Sequence, residues 1–100
     1  MSLETLSEML RARLPELAPL DARVKFVVQD QGALVVDATE KPPTLGREDG
    51  EAACTIRLAE DKLEQLLAGT LSPTLAYSLG QIKVEGSLGV AMKLASLLDS

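Results

Sequence analysis

The N-terminal segment carries leucine at spacings of three and four, which is the period of an amphipathic α-helix. Glu4, Glu8, Arg11 and Arg13 form the polar face of this segment. Pro15 and Pro19 follow, and proline does not continue a helix because it has no N–H to donate. We therefore predict one helix that ends at these prolines. Its buried stripe consists of Leu3, Leu6, Leu10, Leu14 and Leu17.

From residue 23 the hydrophobic period changes to two, which is typical of a strand with one buried face. Val24, Phe26 and Val28 alternate with mostly polar neighbours. The string Asp30-Gln31-Gly32 then supplies the residues of a tight turn, and the alternation resumes at Leu34. The pattern predicts a β-hairpin over residues 23–39.

The middle of the chain contains one weakly marked strand and one clear strand. Lys41-Pro42-Pro43 ends the hairpin, and the polar loop after it leaves space only for a short edge strand around Thr44 and Leu45. Residues 53–58 alternate again, with Cys54 and Ile56 on the apolar side. This second segment predicts a further long strand.

Helix boundaries are well marked in the part of the chain that follows. Acidic residues favour the start of a helix over residues 59–68, and Gly69 is placed to end it in a left-handed turn. Ser72-Pro73 is an N-cap followed by proline at the first helical position, and Gly80 marks the end of this short helix. We predict two consecutive helices.

A last strand and a last helix complete the predicted fold. Ile82 and Val84 alternate with polar residues, and Ser87 caps a helix that runs through Leu98. Alternating strands indicate a largely antiparallel sheet with one solvated face. The element order predicts an α+β fold in two layers, with a four- or five-stranded sheet and helices packed on one face. A chain of 100 residues has the size of one domain, so we expect a single domain over residues 1–100.

Composition narrows the possible functions. Fifteen acidic residues against ten basic residues give a net charge of −5, which opposes phosphate binding, so we expect no nucleic-acid partner. The chain has no histidine, so the usual general base and zinc ligand are missing. Its single cysteine, Cys54, falls on the apolar side of a strand, which predicts a buried and unreactive thiol. We expect no enzyme activity, no cofactor and no metal.

Location follows from the same kind of evidence. No apolar run approaches the roughly 18 residues that cross a bilayer, and Glu4 and Glu8 stand where a signal peptide needs basic and apolar residues. We expect a cytoplasmic protein without stable membrane insertion.

Glu48, Asp49 and Glu51 lack the spacing of a calcium-binding loop, which indicates solvated loop charges.

Five short strings lie in order in the second half of the chain: Cys54-Thr55-Ile56, Ala68-Gly69, Ser72-Pro73, Lys83-Val84-Glu85-Gly86 and Ala91-Met92-Lys93-Leu94. Each string is common alone, but together they resemble the sterol carrier protein type-two domain family, as a bacterial-type member. Two positions depart from the family pattern, because Ser72 stands where Asn is usual and Gln81 where Lys is frequent. The resemblance implies a five-stranded sheet with helices on one face that enclose an apolar cavity.

The resemblance also implies a function without a reaction. It implies that the chain binds or carries a lipid, which is a fatty acid, a fatty acyl-CoA, a phospholipid or a sterol-like molecule. Leucine stripes alone favour a solid core, and the resemblance shifts the interpretation of the last two helices toward a cavity wall. The ligand-binding residues that we expect are Phe26, Val28, Leu71, Leu75, Leu79, Ile82, Val84, Leu88, Met92 and Ala95.

Two alternatives stay open at this stage. The same fold would also serve an accessory module that docks on a partner enzyme with its cavity collapsed. The string Gly86-Ser87-Leu88-Gly89 fits a nucleotide-clamping loop of KH domains, but a strand-end glycine and a helix cap explain it, and the net charge opposes nucleic acid. An anionic lipid head group at that helix N-terminus is the more favoured interpretation of the two.

Overall fold

The computed structural model describes residues 3–47 and 50–98, in which helices cover one face of a five-stranded sheet. The loop acids Glu48 and Asp49 lie outside the described residues. The helices are α1 (Leu3–Arg13), α2 (Glu60–Ala68), α3 (Pro73–Ser78) and α4 (Leu88–Leu98), and a 3₁₀ helix over Leu14–Leu20 follows α1 directly. The strands are β1 (Arg23–Val28), β2 (Gly32–Asp37), β3 (Thr44–Gly46), β4 (Cys54–Leu58) and β5 (Ile82–Gly86).

The sheet has the order β3-β2-β1-β4-β5. Neighbouring strands are antiparallel except for β1 and β4, which run parallel. The parallel pair arises because the chain leaves β3 at one edge and returns on the other side of β1. The predicted α+β architecture with a largely antiparallel sheet is confirmed, and the weakly marked strand around Thr44 is the edge strand β3.

The core lies between the inner face of the sheet and the helices. Alternation along β1 and β4 places every second side chain inward, where Val24, Phe26 and Cys54 are fully buried. The predicted leucine stripe of α1 packs above them, and Leu6 and Leu10 are also fully buried. The apolar faces that these sequence periods create on the strands and on the helix therefore form one buried cluster.

The end of the first helix differs from the prediction. The α-helix ends at Arg13, and the chain continues as a 3₁₀ helix that contains Pro15 and Pro19. Leucines at a spacing of three explain this, because three residues per turn keep one face of a 3₁₀ helix buried. The buried leucines of this segment are Leu14, Leu17 and Leu20.

Short-range signals at the other helix ends are confirmed. Gly69 adopts the left-handed conformation with φ 80°, and α2 ends there. The Ser72 Oγ accepts a hydrogen bond from the N–H of Leu75 at 3.4 Å and caps α3. The Ser87 Oγ accepts one from the N–H of Val90 at 3.2 Å and caps α4.

One arginine links the C-terminal ends of two helices. Arg13 donates hydrogen bonds to the carbonyl oxygen of Leu67 in α2 at 2.9 Å and to that of Leu98 in α4 at 3.0 Å. Its Nε also bonds to Glu16 at 2.6 Å. Carbonyl groups at a helix C-terminus have no partner within the helix, so this cation satisfies acceptors at both ends. Arg13 therefore ties α4 to the N-terminal part of the core.

A candidate apolar cavity

A cavity of about 440 Å³ lies between the sheet and the helices α3 and α4. Three strands form its floor, α4 forms one wall, and α3 with one residue of α2 forms the other. The side chains that line it are Phe26, Ile56, Leu66, Pro73, Thr74, Tyr77, Ile82, Val84, Leu88, Ala91, Met92, Leu94, Ala95, Ser96 and Leu98.

Strand register places the floor residues side by side. Phe26 of β1 is paired with Ile56 of β4, and Ile56 is paired with Val84 of β5, so these three form one row across the sheet. Ile82 lies two residues before Val84 on the same face of β5. The floor is therefore entirely aliphatic except for the ring of Phe26.

Small side chains on α4 explain why the space is not filled. Ala91 and Ala95 are four residues apart and share the helix face that lines the cavity. Leu94 and Leu98 lie on the adjacent line of the helix and are buried. Two methyl groups where larger side chains would reach the sheet leave a gap between helix and strand.

The cavity opens to solvent through a rim of exposed apolar side chains. Tyr77 of α3 is 49% exposed, and Leu88 and Met92 of α4 are 50% and 66% exposed. The polar groups in the lining belong to Thr74, Tyr77 and Ser96, and no lining side chain is charged. The site offers apolar surface and a few hydroxyl groups, which is the composition of a site for an apolar ligand.

Six of the ten residues expected to bind ligand lie on the cavity wall. Register and helix phase bring them together from β1, β5 and α4. Their role in binding stays a prediction. These six residues are Phe26, Ile82, Val84, Leu88, Met92 and Ala95.

The other four expected residues do not line this cavity, and their role in binding also stays a prediction. Val28 is buried, but it pairs with Gly32, where an added Cβ would lie 3.2 Å from Leu3 of α1, so this end of β1 is covered by α1. Leu71 follows α2, where its N–H donates to the carbonyl oxygen of Gln65 at 3.3 Å, and its side chain packs against the core outside the cavity.

The remaining two expected residues are Leu75 of α3 and Leu79, which directly follows this helix. Leu75 and Leu79 are 52% and 62% exposed and do not line the cavity. Pro73 and Ala76 occupy the buried face of this short helix instead. Because Pro73 and Ala76 face the core, Leu75 and the following Leu79 lie on the other side and face solvent.

Sequence reasoning missed several lining residues. Ile56 would follow from its place on the apolar side of the strand predicted over residues 53–58. Ala91 would follow from its spacing of four from Ala95. Nothing in the sequence indicates Thr74, Pro73 or Ser96, because their positions depend on how α3 and α4 are oriented. The full set that was missed is Ile56, Leu66, Pro73, Thr74, Tyr77, Ala91, Leu94, Ser96 and Leu98.

The three described side chains whose pKa departs from its ordinary value do not line the cavity. Burial raises the pKa of the Cys54 thiol, which keeps the sulfur protonated at neutral pH. Hydrogen bonds from Thr39 lower the pKa of Asp37, and the Arg57 guanidinium lowers that of Glu85 through a 2.8 Å hydrogen bond. Among the described residues, no group of three or more Cys, Asp or Glu side chains is placed to hold a metal ion. In residues 3–47 and 50–98, no helix is long and apolar enough to cross a membrane.

Comparison with known proteins gives a family match over nearly the whole chain. The model of the SCP-2 sterol transfer family matches residues 3–99. Sterol carrier protein 2 from Bos taurus is 39% identical over 64 residues, which is 63% of this chain and 12% of that protein. The matched part is therefore a small fraction of the length of this curated relative.

Solved structures share the fold. The palmitated SCP2L2 from Aedes aegypti superposes with a TM-score of 0.74 at 21% identity, over 100% of this chain and 96% of that chain. The UbiJ-SCP2 ubiquinone synthesis protein superposes with a TM-score of 0.70 at 19% identity, over 96% and 91% of the two chains. At these identities the likeness shows the fold alone.

Proposed function

This chain belongs to the SCP-2 sterol transfer family, and from that membership we propose that it carries one lipid molecule in the cavity between the sheet and α4. The observation that supports this most directly is the uncharged aliphatic lining, which opens to solvent at an apolar rim. Burial of apolar surface supplies the affinity, at about 0.8 kcal/mol for each buried methylene. The carrier acts as a single domain over residues 1–100 in the cytoplasm and catalyses no reaction.

Volume favours a single aliphatic chain as the buried part. A cavity of about 440 Å³ lies in the lower part of the range for ligand sites, which is about 300 to 1,000 Å³. A fatty acid, or the acyl part of a fatty acyl-CoA, fits this description better than a two-chain phospholipid or a sterol-like ring system. The palmitated relative from Aedes aegypti supports palmitate as the first ligand to test.

The rim determines how the polar end is held. Thr74, Tyr77 and Ser96 offer hydroxyl groups, and no cation in the wall would neutralise a buried carboxylate. Burying an unpaired charge is costly, so the head group stays at the solvent-facing rim while the chain enters the cavity.

A pair of alanine substitutions tests the proposal. Ala95→Trp places an indole in the cavity, and Ala68→Trp places one at an exposed position at the end of α2 that does not line it. We expect palmitate to raise the melting temperature of the lipid-stripped protein and of Ala68→Trp. Ala95→Trp should bind palmitate at least tenfold more weakly at unchanged or higher stability. Equal palmitate affinity in the two variants would contradict binding in this cavity.

The alternative function is an accessory module that docks on a partner enzyme. The observation in its favour is the exposed pair formed by Leu75 of α3 and Leu79 directly after it, both outside the cavity. Native mass spectrometry of gently purified protein separates the two functions. A co-purifying lipid mass supports the carrier, whereas a lipid-free chain whose melting temperature no fatty acid or acyl-CoA raises supports the docking module.

A further inference from the structure

The two edges of the sheet differ in how they are protected against pairing. At one edge, β3 has three residues and follows Pro42-Pro43, and short strands near proline pair poorly. At the other edge, β5 has five residues, and neither proline nor a second strand covers it in the described part of the chain. The β5 edge is therefore the one that remains open to pairing.

Hydrogen-bond phase shows which groups β5 presents. The N–H of Gln29, which follows β1, donates to the carbonyl oxygen of Leu58 at 2.9 Å. The backbone N–H and C=O groups of Leu58, and of every second residue before it in β4, therefore point toward β1. The backbone groups of Arg57 and Thr55 point toward β5, where their partners are Lys83 and Glu85. The backbone groups of Ile82 and Val84 point away from β4 and toward the open edge.

The charges on β5 are complementary to themselves. Lys83 and Glu85 flank Val84 on the solvent face of the sheet. In a two-fold antiparallel pairing centred on Val84, Lys83 of one copy lies opposite Glu85 of the other, and this happens twice. Val84 pairs with its own counterpart through its outward N–H and carbonyl groups. Charged edge strands usually prevent pairing, but this order of charges favours it in one register.

The charges around Lys83 favour an additional carboxylate next to it. Its cross-strand neighbour within the chain is Arg57, another cation, which bonds to Glu85. Lys83 forms no ion pair with any residue in the described ranges. A carboxylate from outside the chain would relieve this like-charge pair.

We propose that the β5 edge is a homodimer interface, at which two copies pair antiparallel about Val84 and join their sheets into one. The two-fold axis is perpendicular to the joint sheet, so both copies of α4 lie on the same side of it. The paired strand is short, so we expect a reversible dimer that forms in the micromolar range rather than an obligate one. This inference does not depend on lipid binding.

Charge reversal tests the interface and its register. Lys83→Glu and Glu85→Lys each create two like-charge pairs across the axis, and each should weaken dimerisation by about tenfold in sedimentation analysis. The double variant Lys83→Glu/Glu85→Lys restores opposite charges and should recover the dimer. Arg11→Glu changes the net charge as much as Lys83→Glu does, at an exposed position of α1, and should leave dimerisation unchanged.

Amide exchange adds a readout at the edge itself. The amides of Ile82 and Val84 should exchange more slowly as the concentration of the wild-type protein rises, and this dependence should be lost in each single variant. A wild-type chain that stays monomeric at high micromolar concentration would overturn the proposal. A dimer that is indifferent to both single reversals, or one that the double variant does not restore, would overturn it too.

Discussion

Two leucines of α1 are buried, whereas Leu75 of α3 and the following Leu79 are exposed to solvent. Leu6 and Leu10 are fully buried, whereas Leu75 and Leu79 are more than half exposed. The α1 leucines are enclosed because α1 packs on α2 and on the 3₁₀ helix, and they belong to the same buried cluster as the inward side chains of the sheet. The main contacts of α3 are with α4 and β5, and its six residues bury only one face.

The difference separates a solid half of the core from a half that contains a cavity. On the solid side, Val28 is buried, and a Cβ added at its partner Gly32 would lie 3.2 Å from Leu3 of α1. On the other side, Ala91 and Ala95 leave space above Phe26 and Ile56. A site that takes up an apolar molecule has to keep apolar side chains unpacked, and this fold keeps them in the part formed by α3, α4 and β5.

The largest expected effect comes from matched leucine truncations on the two sides. Leu10→Ala should lower the free energy of unfolding by about 2 to 5 kcal/mol, because it opens a void in close-packed core. Leu79→Ala should change it by less than about 0.5 kcal/mol, because this side chain is mostly in water. Urea denaturation followed by circular dichroism measures both. Similar losses in the two variants would show that α3 is packed as tightly as α1.

An intermediate effect is expected at the residue that joins the two halves. Arg13→Met keeps most of the aliphatic length but removes the hydrogen bonds to the carbonyl oxygens of Leu67 and Leu98. The free energy of unfolding should fall by about 1 to 3 kcal/mol, since charged donors to buried acceptors contribute about that much. The substitution should accelerate amide exchange near the end of α4 more than it accelerates amide exchange in α1.

Arg11→Met is the matched control for this substitution. Arg11 lies exposed on the same helix, and its loss should cost less than about 0.5 kcal/mol. If Arg13→Met were no more destabilising than Arg11→Met, the hydrogen bonds of Arg13 to α2 and α4 would not contribute to the free energy of unfolding.

The smallest expected effect is a pH dependence at Asp37, on the solid side. Thr39 donates to Asp37 through its N–H at 3.0 Å and through its hydroxyl, and Arg23 lies 3.6 Å away, so the pKa of the carboxyl is below its ordinary value. A pKa that is lower in the folded than in the unfolded state stabilises the fold above the unfolded pKa. That stability is lost as the pH falls below about 4 and through the folded pKa.

The measurement compares wild type with Asp37→Asn. The wild type should be more stable at pH 7 by less than about 1 kcal/mol, since the group is close to solvent. The difference should shrink on acidification. Glu85 has the same sign, because Arg57 lowers its pKa, but this pair is exposed and should weaken with added salt. A difference at Asp37 that stays constant from pH 7 to acid would contradict a contribution from the ionised carboxylate.

Local sequence signals determined the elements and their ends. The period of two in residues 23–28 and 53–58, the αL glycine at Gly69 and the serine caps at Ser72 and Ser87 each depend on residues close in the chain. Such signals survive in any tertiary context that allows the element to form. The family resemblance added the expectation of a cavity, and six of the ten residues named for it lie on its wall.

Tertiary structure alone decided which apolar side chains face a cavity, which face a solid core and which face water. Leu75 and Leu79 have the spacing of a buried stripe, but Pro73 and Ala76 occupy the buried face of α3, so both leucines face solvent. Arg13 fits the polar face of α1 by sequence, yet it bonds to carbonyl groups 54 and 85 residues away. Periodicity records that a side chain is apolar and on one face, whereas burial depends on which distant elements pack against that face.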